Sequence, residues 1–179
     1  MFRVQYTEPT YASSPFLSDF FGTWSPTTGA NAPLFDQNWG GREVSRYSVD
    51  GCVKNWIERG ASPGVINIGL PFYGRSFARV QDLNKVHEGK PDVSSWPQDE
   101  GTPQYFNIVN KLADLVSVRH ELTATQYAYG DTGLVSYDNE ESICDKAEYC
   151  LQHELNGFII WEVSPVGSCA LCSLLKCCK

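Results

Sequence analysis

Three apolar runs divide the chain and predict buried β-strands. They cover residues 16–22, 65–73 and 157–163. The second and third runs, VINIGLPFY and GFIIWEV, are nearly continuous rather than alternating. Strands have this pattern when both faces of their sheet are covered, as they are in parallel sheets.

Residues at helical spacing separate these runs. Ser48 is the predicted N-cap of a first helix, which Gly60 ends, and its apolar positions lie on one face: Val49, Val53, Trp56 and Ile57. Asp138 and Glu141 predict a capping box for a second helix that stops before Asn156 and Gly157. The order strand, helix, strand, insertion, helix, strand is typical of an α/β barrel or a doubly wound sheet.

The stretch between the second and third runs breaks this order. It begins as a polar, irregular segment and continues into a predicted helix capped by Thr102, with Pro103 at its first position. The apolar positions of that helix are Tyr105, Ile108, Val109, Leu112, Leu115 and Val116. We therefore expect a small α+β insertion at 78–134 between barrel portions at 1–77 and 135–165, followed by a Cys-rich tail at 166–179.

Composition limits the function classes. The 179 residues are 42% hydrophobic, enough for one domain with a core, and the net charge of −7 leaves no basic footprint for nucleic acid. No apolar run approaches the roughly 18 residues of a membrane span, and residues 1–9 lack the apolar region of a signal peptide. We expect neither a nucleic-acid nor a membrane partner.

Aromatic and cysteine residues each leave two interpretations open. Aromatics are 13% of the chain, and they could fill the core or stack on the apolar faces of sugar rings. Of seven cysteines, four fall in the last eleven residues. Their spacing could indicate a metal site, but it is too compact for a zinc ribbon, so a disordered tail or a disulfide patch is the prediction, with no metal or cofactor.

Four segments together resemble glycoside hydrolase family 18, the chitinase family. They are SDFFGTWSPTTGANAPLF at 18–35, GLPFYGRSF at 69–77, YAYGDTGLVSYDNEESI at 127–143 and GFIIWEVS at 157–164. Their order and spacing are similar to those around the last three strands of the family's barrel. The resemblance implies an α/β fold: the last three strands of a TIM (β/α)8 barrel with a small α+β insertion domain.

Five residues follow the predicted strands, and a barrel carries its chemistry at the carboxyl ends of its strands. The resemblance implies that Trp161 forms the floor under a sugar and that Trp24 stacks on another. It also implies that Asp19, Tyr73 and Arg75 form hydrogen bonds with substrate. The competing interpretations are a core plug for Trp161, braces of the insertion for Tyr73 and Arg75, and a solvated loop carboxylate for Asp19. Asp138, in the Tyr-Asp pair of the third segment, is interpreted as a helix cap.

Two departures from the family pattern bear on activity. Ser18 stands where the family has a Tyr that holds the substrate's acetamido group, and Phe21 replaces a polar neighbour. The family's catalytic motif, Asp-x-x-Asp-x-Asp-x-Glu, cannot occur in any register, because no two Asp residues are closer than seven positions. The Glu of that motif is the family's general acid, in a mechanism where the substrate's own acetamido oxygen is the nucleophile.

The expected function is therefore the C-terminal part of a chitinase-type glycoside hydrolase. The resemblance implies binding of chitin or chito-oligosaccharides and no catalytic residue in this chain, so hydrolysis by the chain alone is not expected. A barrel takes about 250 residues, so a partial chain is expected, from a family that is usually extracellular. The alternatives are a lectin-like chitin-binding protein without catalysis and a nonfunctional barrel remnant.

Overall fold

A computed structural model describes residues 17–36 and 47–161, together with the backbone of residues 3–4. The fold mixes α-helices and β-strands. Its elements are β1 (Arg3–Val4), α1 (Val49–Glu58), β2 (Asn67–Pro71), β3 (Arg75–Ala78), α2 (Tyr105–Lys111), β4 (Val116–His120), β5 (Thr125–Tyr129), β6 (Gly133–Tyr137), α3 (Glu140–Gln152) and β7 (Gly157–Trp161).

A parallel sheet of order β1-β7-β2 contains two of the strands that the apolar runs predict. The runs at 65–73 and 157–163 correspond to β2 and to β7, although residues 162–163 lie outside the described part. Every second side chain of these strands enters a core shared with α1 and α3, and the fully or nearly buried members are Ile68, Leu70, Phe72 and Phe158. Burial of a side chain of this size contributes about 1.5–3 kcal/mol.

The first helix begins and ends as the sequence predicts. The Ser48 hydroxyl accepts a hydrogen bond from the Gly51 N–H at 3.1 Å, and the helix runs to Glu58. Gly60 follows with φ of 95°, a conformation that favours glycine. Val49 and Val53 are fully buried and Trp56 packs against the same core, whereas Ile57, also predicted on this face, is 37% exposed.

The capping box predicted for Asp138 and Glu141 is wrong, because the cap lies one residue later. Asn139 accepts a hydrogen bond from the Ser142 N–H, and the Ser142 hydroxyl accepts one from the Asn139 N–H. Asp138 is instead 3% exposed, and its carboxylate binds the fully buried Lys146 ammonium and the Ser142 hydroxyl. Both carboxylate oxygens of Asp138 are thus occupied by side chains of α3, and Asn139 supplies the backbone cap.

The predicted strand at 16–22 is also wrong for the residues described there. Residues 17–22 pair with no strand in the described part of the chain. Asp19 has φ of 60°, and this left-handed conformation interrupts an extended run. The N–H groups of Asp19 and Phe20 donate to Asn31 instead of to a neighbouring strand.

The region after β2 forms an antiparallel sheet of order β3-β6-β5-β4. Phe77, Tyr127 and Leu134 are buried on one side of it, while Ile108 of α2 packs with Ala128, Val135 and Tyr137 on the other. The helix predicted from Thr102 to Val116 is shorter than expected. Its N-cap is Gln104, it ends at Lys111, and a 3₁₀ turn over Leu112–Asp114 leads into β4 at Val116.

The cysteines and the tail add one further fact. Cys144 is disulfide-bonded, whereas the Cys-rich tail, 166–179, with its metal and disulfide alternatives, lies outside the described residues. Within residues 17–36 and 47–161, no three metal-ligating side chains come together. In those same residues, no helix is long and apolar enough to cross a membrane.

Candidate functional site

The carboxyl ends of β2 and β7 form one edge of the parallel sheet. Pro71 pairs with Trp161 in register, and the Phe72 N–H donates to the Trp161 carbonyl at 2.8 Å. Because side chains alternate along a strand, Pro71 and Trp161 lie on the face opposite to Leu70, whose side chain is in the helix-side core. Tyr73, two residues after β2, and Trp161, the last residue of β7, therefore lie at the same carboxyl end of the parallel sheet.

A hydrogen-bonded cluster joins the loop after Leu17 to the end of β2. The Asp19 carboxylate accepts from Arg75 Nε–H at 2.7 Å on one oxygen and from the Tyr73 hydroxyl at 2.8 Å on the other. Arg75 Nη1–H also donates to the Thr102 hydroxyl at 3.2 Å. Asp19, which is 54 residues from Tyr73 and 56 from Arg75 along the chain, thus forms one cluster with them, with opposite charges in contact.

Trp24 joins this cluster through the guanidinium group. Arg75 Cζ lies 5.1 Å from the centroid of the Trp24 ring and 5.5 Å from that of Tyr73, distances typical of cation–π contacts. A Cβ on Gly22 would lie 2.3 Å from the Trp24 ring, so only glycine fits there while the indole keeps its place. Trp24 still has 59% of its surface exposed.

Four of the five predicted site residues therefore form one network of contacts through Asp19 and Arg75, and the fifth, Trp161, is at the same sheet edge and 50% exposed. We refer to Asp19, Trp24, Tyr73, Arg75 and Trp161 as the rim. It presents two exposed indoles, a phenol, a guanidinium and a carboxylate. Such a surface offers apolar faces together with donors and acceptors, which is the combination found in sites for polar ligands that have apolar faces.

The Tyr73 hydroxyl is held in its neutral form. Burial raises the pKa of Tyr73 to about 12, and Asp19 adds to this effect while the Ser18 hydroxyl and Arg75 oppose it. Since the Tyr73 hydroxyl donates to Asp19, the Ser18 hydroxyl at 3.1 Å is arranged to donate to the Tyr73 oxygen. Ser18 therefore has a partner in the cluster, although it cannot extend as far as a tyrosine.

Raised tyrosine pKa values predict that the fold loses stability at high pH. Burial is the main cause that raises the pKa of Tyr73, Tyr127 and Tyr137 from 10.0 to about 12. The unfolded chain therefore releases these protons first, and we expect the free energy of unfolding to fall as pH rises from about 10 through 12. Urea unfolding at a series of pH values from about 10 to 12 measures this free energy. Tyr73→Phe should make the decline shallower, and a decline as steep as that of the unaltered chain would contradict the assignment.

Sequence reasoning missed Asn31, which is 1% exposed and lies beneath the rim. Its side chain binds the Asp19 N–H and the Tyr73 carbonyl. The residue is within the first of the four segments, SDFFGTWSPTTGANAPLF, but no spacing rule connects an asparagine in a loop to backbone groups 12 and 42 residues away. The signal available was only its position beside Ala30 and Ala32 in a polar loop.

The sequence profile of one family, glycosyl hydrolases family 18, matches residues 16–165. This match covers most of the chain and contains all five rim residues. The chain belongs to this family.

Family 18 proteins of known sequence and structure agree with the profile. The chain is 29% identical over 153 residues to class V chitinase CHIT5 of Lotus japonicus, covering 84% of this chain and 37% of the relative. It is 30% identical over 145 residues to Nod factor hydrolase protein 1 of Medicago truncatula, covering 80% and 36%. The chain thus spans less than half the length of these two relatives.

Solved family 18 structures show the same fold over most of this chain. The Group IV chitinase of Ostrinia furnacalis superimposes with a TM-score of 0.77 at 28% identity, covering 90% of this chain and 47% of that one. A mutant class V chitinase from Nicotiana tobaccum, solved in complex with NAG4, gives a TM-score of 0.76 at 25% identity, covering 88% and 45%. A chitinase from Cycas revoluta was solved in complex with (GlcNAc)3.

Proposed function

We propose that the rim binds the N-acetylglucosamine chains of chitin and that this chain alone does not hydrolyse them. One observation carries the proposal: Asp19, Trp24, Tyr73 and Arg75 converge in one hydrogen-bonded and cation–π cluster at the sheet edge that also holds Trp161. Complexes of family 18 relatives with N-acetylglucosamine oligomers support the choice of ligand.

The chemistry of the rim suits such a ligand. Sugar rings have apolar C–H faces that stack on exposed indoles, and Trp24 and Trp161 are 59% and 50% exposed. Hydroxyl and acetamido groups need both donors and acceptors. Arg75 supplies the donors, and the partly exposed Asp19 carboxylate, with 39% of its side chain accessible, supplies acceptors.

We also propose that β2 and β7 are the last strands of a barrel interrupted by an insertion. The parallel pairing of β2 with β7 and the helices that cover one face support the barrel assignment. The antiparallel order β3-β6-β5-β4 supports an insertion. The sequence predicts its bounds as 78–134, but β3 begins at Arg75 and β6 ends at Tyr137, so we propose that the insertion spans 75–137. Thr102, within the insertion, holds the Arg75 guanidinium from that side through its hydroxyl.

The absence of hydrolysis is proposed from the residues in this chain. The catalytic Asp-x-x-Asp-x-Asp-x-Glu motif occurs nowhere in the 179 residues. The rim carboxylate of Asp19 accepts hydrogen bonds on both oxygens, so it is arranged to hold Arg75 and Tyr73 rather than to transfer a proton. If the chain binds chitin without hydrolysing it, it acts as a lectin-like protein. If it neither binds nor hydrolyses chitin, it is a nonfunctional barrel remnant.

Replacing Trp161 with alanine tests the binding proposal. We expect chitin beads to retain the unaltered chain and the affinity of Trp161→Ala for (GlcNAc)4 to fall roughly threefold to tenfold, since stacking of rings contributes about 0.5–1.5 kcal/mol beyond area burial. Bead retention and isothermal titration measure the two effects.

Leu151→Ala is a matched control. Leu151 is 58% exposed, but it lies at the end of α3 that precedes β7, so it is at the opposite edge of the sheet from Trp161. Its replacement should leave retention unchanged. If the folded, unaltered chain stays in the supernatant, binding is refuted and the barrel-remnant alternative holds. If Trp161→Ala binds as the unaltered chain does, the role of Trp161 is refuted.

A further inference from the structure

The backbone of Asp19 has an unfavourable conformation that the cluster depends on. Its φ of 60° is rare for residues other than glycine, although Asp tolerates it better than most. In an extended conformation the side chain would point elsewhere, and the carboxylate would lose Arg75 Nε–H at 2.7 Å and the Tyr73 hydroxyl at 2.8 Å. Such a conformation persists only where the surroundings determine it.

Asn31 supplies those surroundings. Its Oδ1 accepts from the Asp19 N–H at 3.2 Å, and its backbone carbonyl accepts from the next N–H, that of Phe20, at 3.0 Å. Both amides that flank the left-handed turn therefore bind one residue. Its Nδ2 donates to the Tyr73 carbonyl at 3.2 Å, so the same amide also holds the residue whose hydroxyl binds Asp19.

The position of Asn31 is itself fixed. It is 1% exposed, and its backbone N–H donates to the Ser136 hydroxyl of β6 at 2.9 Å. Ser136 is the strand partner of Arg75. Asn31 is thus connected to Asp19, to Tyr73 and, through β6, to the strand that carries Arg75, and its hydrogen bonds to Asp19 and Tyr73 involve their backbone atoms.

We propose that Asn31 is the positioning residue that holds Asp19 in its left-handed conformation and thereby sets the Asp19–Arg75 and Asp19–Tyr73 contacts. An asparagine is required because a single side chain must accept from the Asp19 N–H and donate to the Tyr73 carbonyl. An ionised aspartate at this position could only accept, and an alanine would leave two partly buried backbone groups without these partners. The contribution of this cluster to sugar affinity rests on the proposed function, whereas the positioning does not.

The test begins without ligand. Arg75 Nε–H has its own ¹H–¹⁵N signal, and its bond to Asp19 slows its exchange with water. We expect Asn31→Ala to speed this exchange about tenfold, to the rate of Asp19→Gly, a variant that removes the carboxylate and accommodates φ of 60° without strain. Asn31→Asp, which keeps the size of the side chain, should also speed the exchange of Arg75 Nε–H. This second variant allows the test even if the alanine variant does not fold.

A double-mutant cycle then separates positioning from structure. If Asn31 acts through Asp19, adding Asn31→Ala to Asp19→Gly should change neither the Arg75 exchange nor the (GlcNAc)4 affinity further, whereas each change alone should weaken affinity several-fold. Val53→Ala, which destabilises the buried face of α1 away from the rim, controls for loss of stability and should leave the Arg75 signal unchanged.

Two results would overturn the proposal. One is an Arg75 exchange rate in Asn31→Ala and Asn31→Asp equal to that of the unaltered chain. The other is an additive cycle, in which Asn31→Ala speeds exchange as much in the Asp19→Gly background as without it. If the unaltered chain binds no sugar, the proposed function fails, but the Arg75 signal still decides the role of Asn31.

Discussion

Replacing Lys146 with alanine should lower the free energy of unfolding by about 3–5 kcal/mol. The Lys146 ammonium is fully buried and bound to Asp138, which is 3% exposed. Burial lowers the pKa of Lys146, and the Asp138 carboxylate opposes that effect. Removing the cation leaves a buried carboxylate that, within the described part of the chain, keeps the Ser142 hydroxyl at 2.8 Å as its side-chain donor. Urea unfolding followed by circular dichroism measures the loss.

Two further variants make this prediction specific. Lys54→Ala removes a cation from an ion pair with Asp50 in which Lys54 is 55% exposed, so it should cost less than about 1 kcal/mol. Asp138→Asn combined with Lys146→Met removes both charges together and should recover most of the lost stability, because no uncompensated charge remains. A Lys146→Ala variant as stable as Lys54→Ala would contradict the burial of this pair.

The purified chain should release no fluorophore from a chito-oligosaccharide reporter above the buffer rate. A general acid contributes about 10²–10⁴-fold to a rate, and the chain lacks the whole motif that carries this acid in the family. A family 18 chitinase of full length, assayed beside it, provides the positive control. Binding of the reporter measured under the same conditions distinguishes a chain that binds without cutting from one that does not bind.

Turnover by the chain would contradict this expectation if two conditions hold. The activity must remain with the chain through gel filtration, which excludes a contaminating chitinase. It must also fall in Tyr73→Phe, which removes a hydroxyl that donates to the rim carboxylate. If activity meets both conditions, the chain has a general acid that neither its sequence nor the geometry of the rim identifies.

The helix boundaries show which parts of the fold a sequence can predict. Ser48 caps α1 because its hydroxyl binds an N–H three residues later, and such a contact depends on local sequence alone. Asp138 has the same local signature, yet its carboxylate binds Lys146 and Asn139 caps the helix instead. Local capping rules do not include contacts with a buried ammonium two turns away.

The rim shows the same division. Tyr73 and Trp161 could be placed at one end of the sheet because parallel pairing brings the carboxyl ends of neighbouring strands together. The conformation of residues 17–22 could not be predicted, because their apolar side chains suggest a strand whereas the backbone turns at Asp19. The bonds that cause this turn come from Asn31 and involve backbone groups, which carry no sequence signal.

The bond between Asn31 and Ser136 has a consequence for protein engineering. It ties the loop that bears the carboxylate to a strand of the antiparallel sheet 105 residues further along the chain. Exchanging that sheet for the corresponding part of another protein is therefore expected to disturb the rim. Hybrids should be cut so that residues 19–31 and 133–137 come from the same parent.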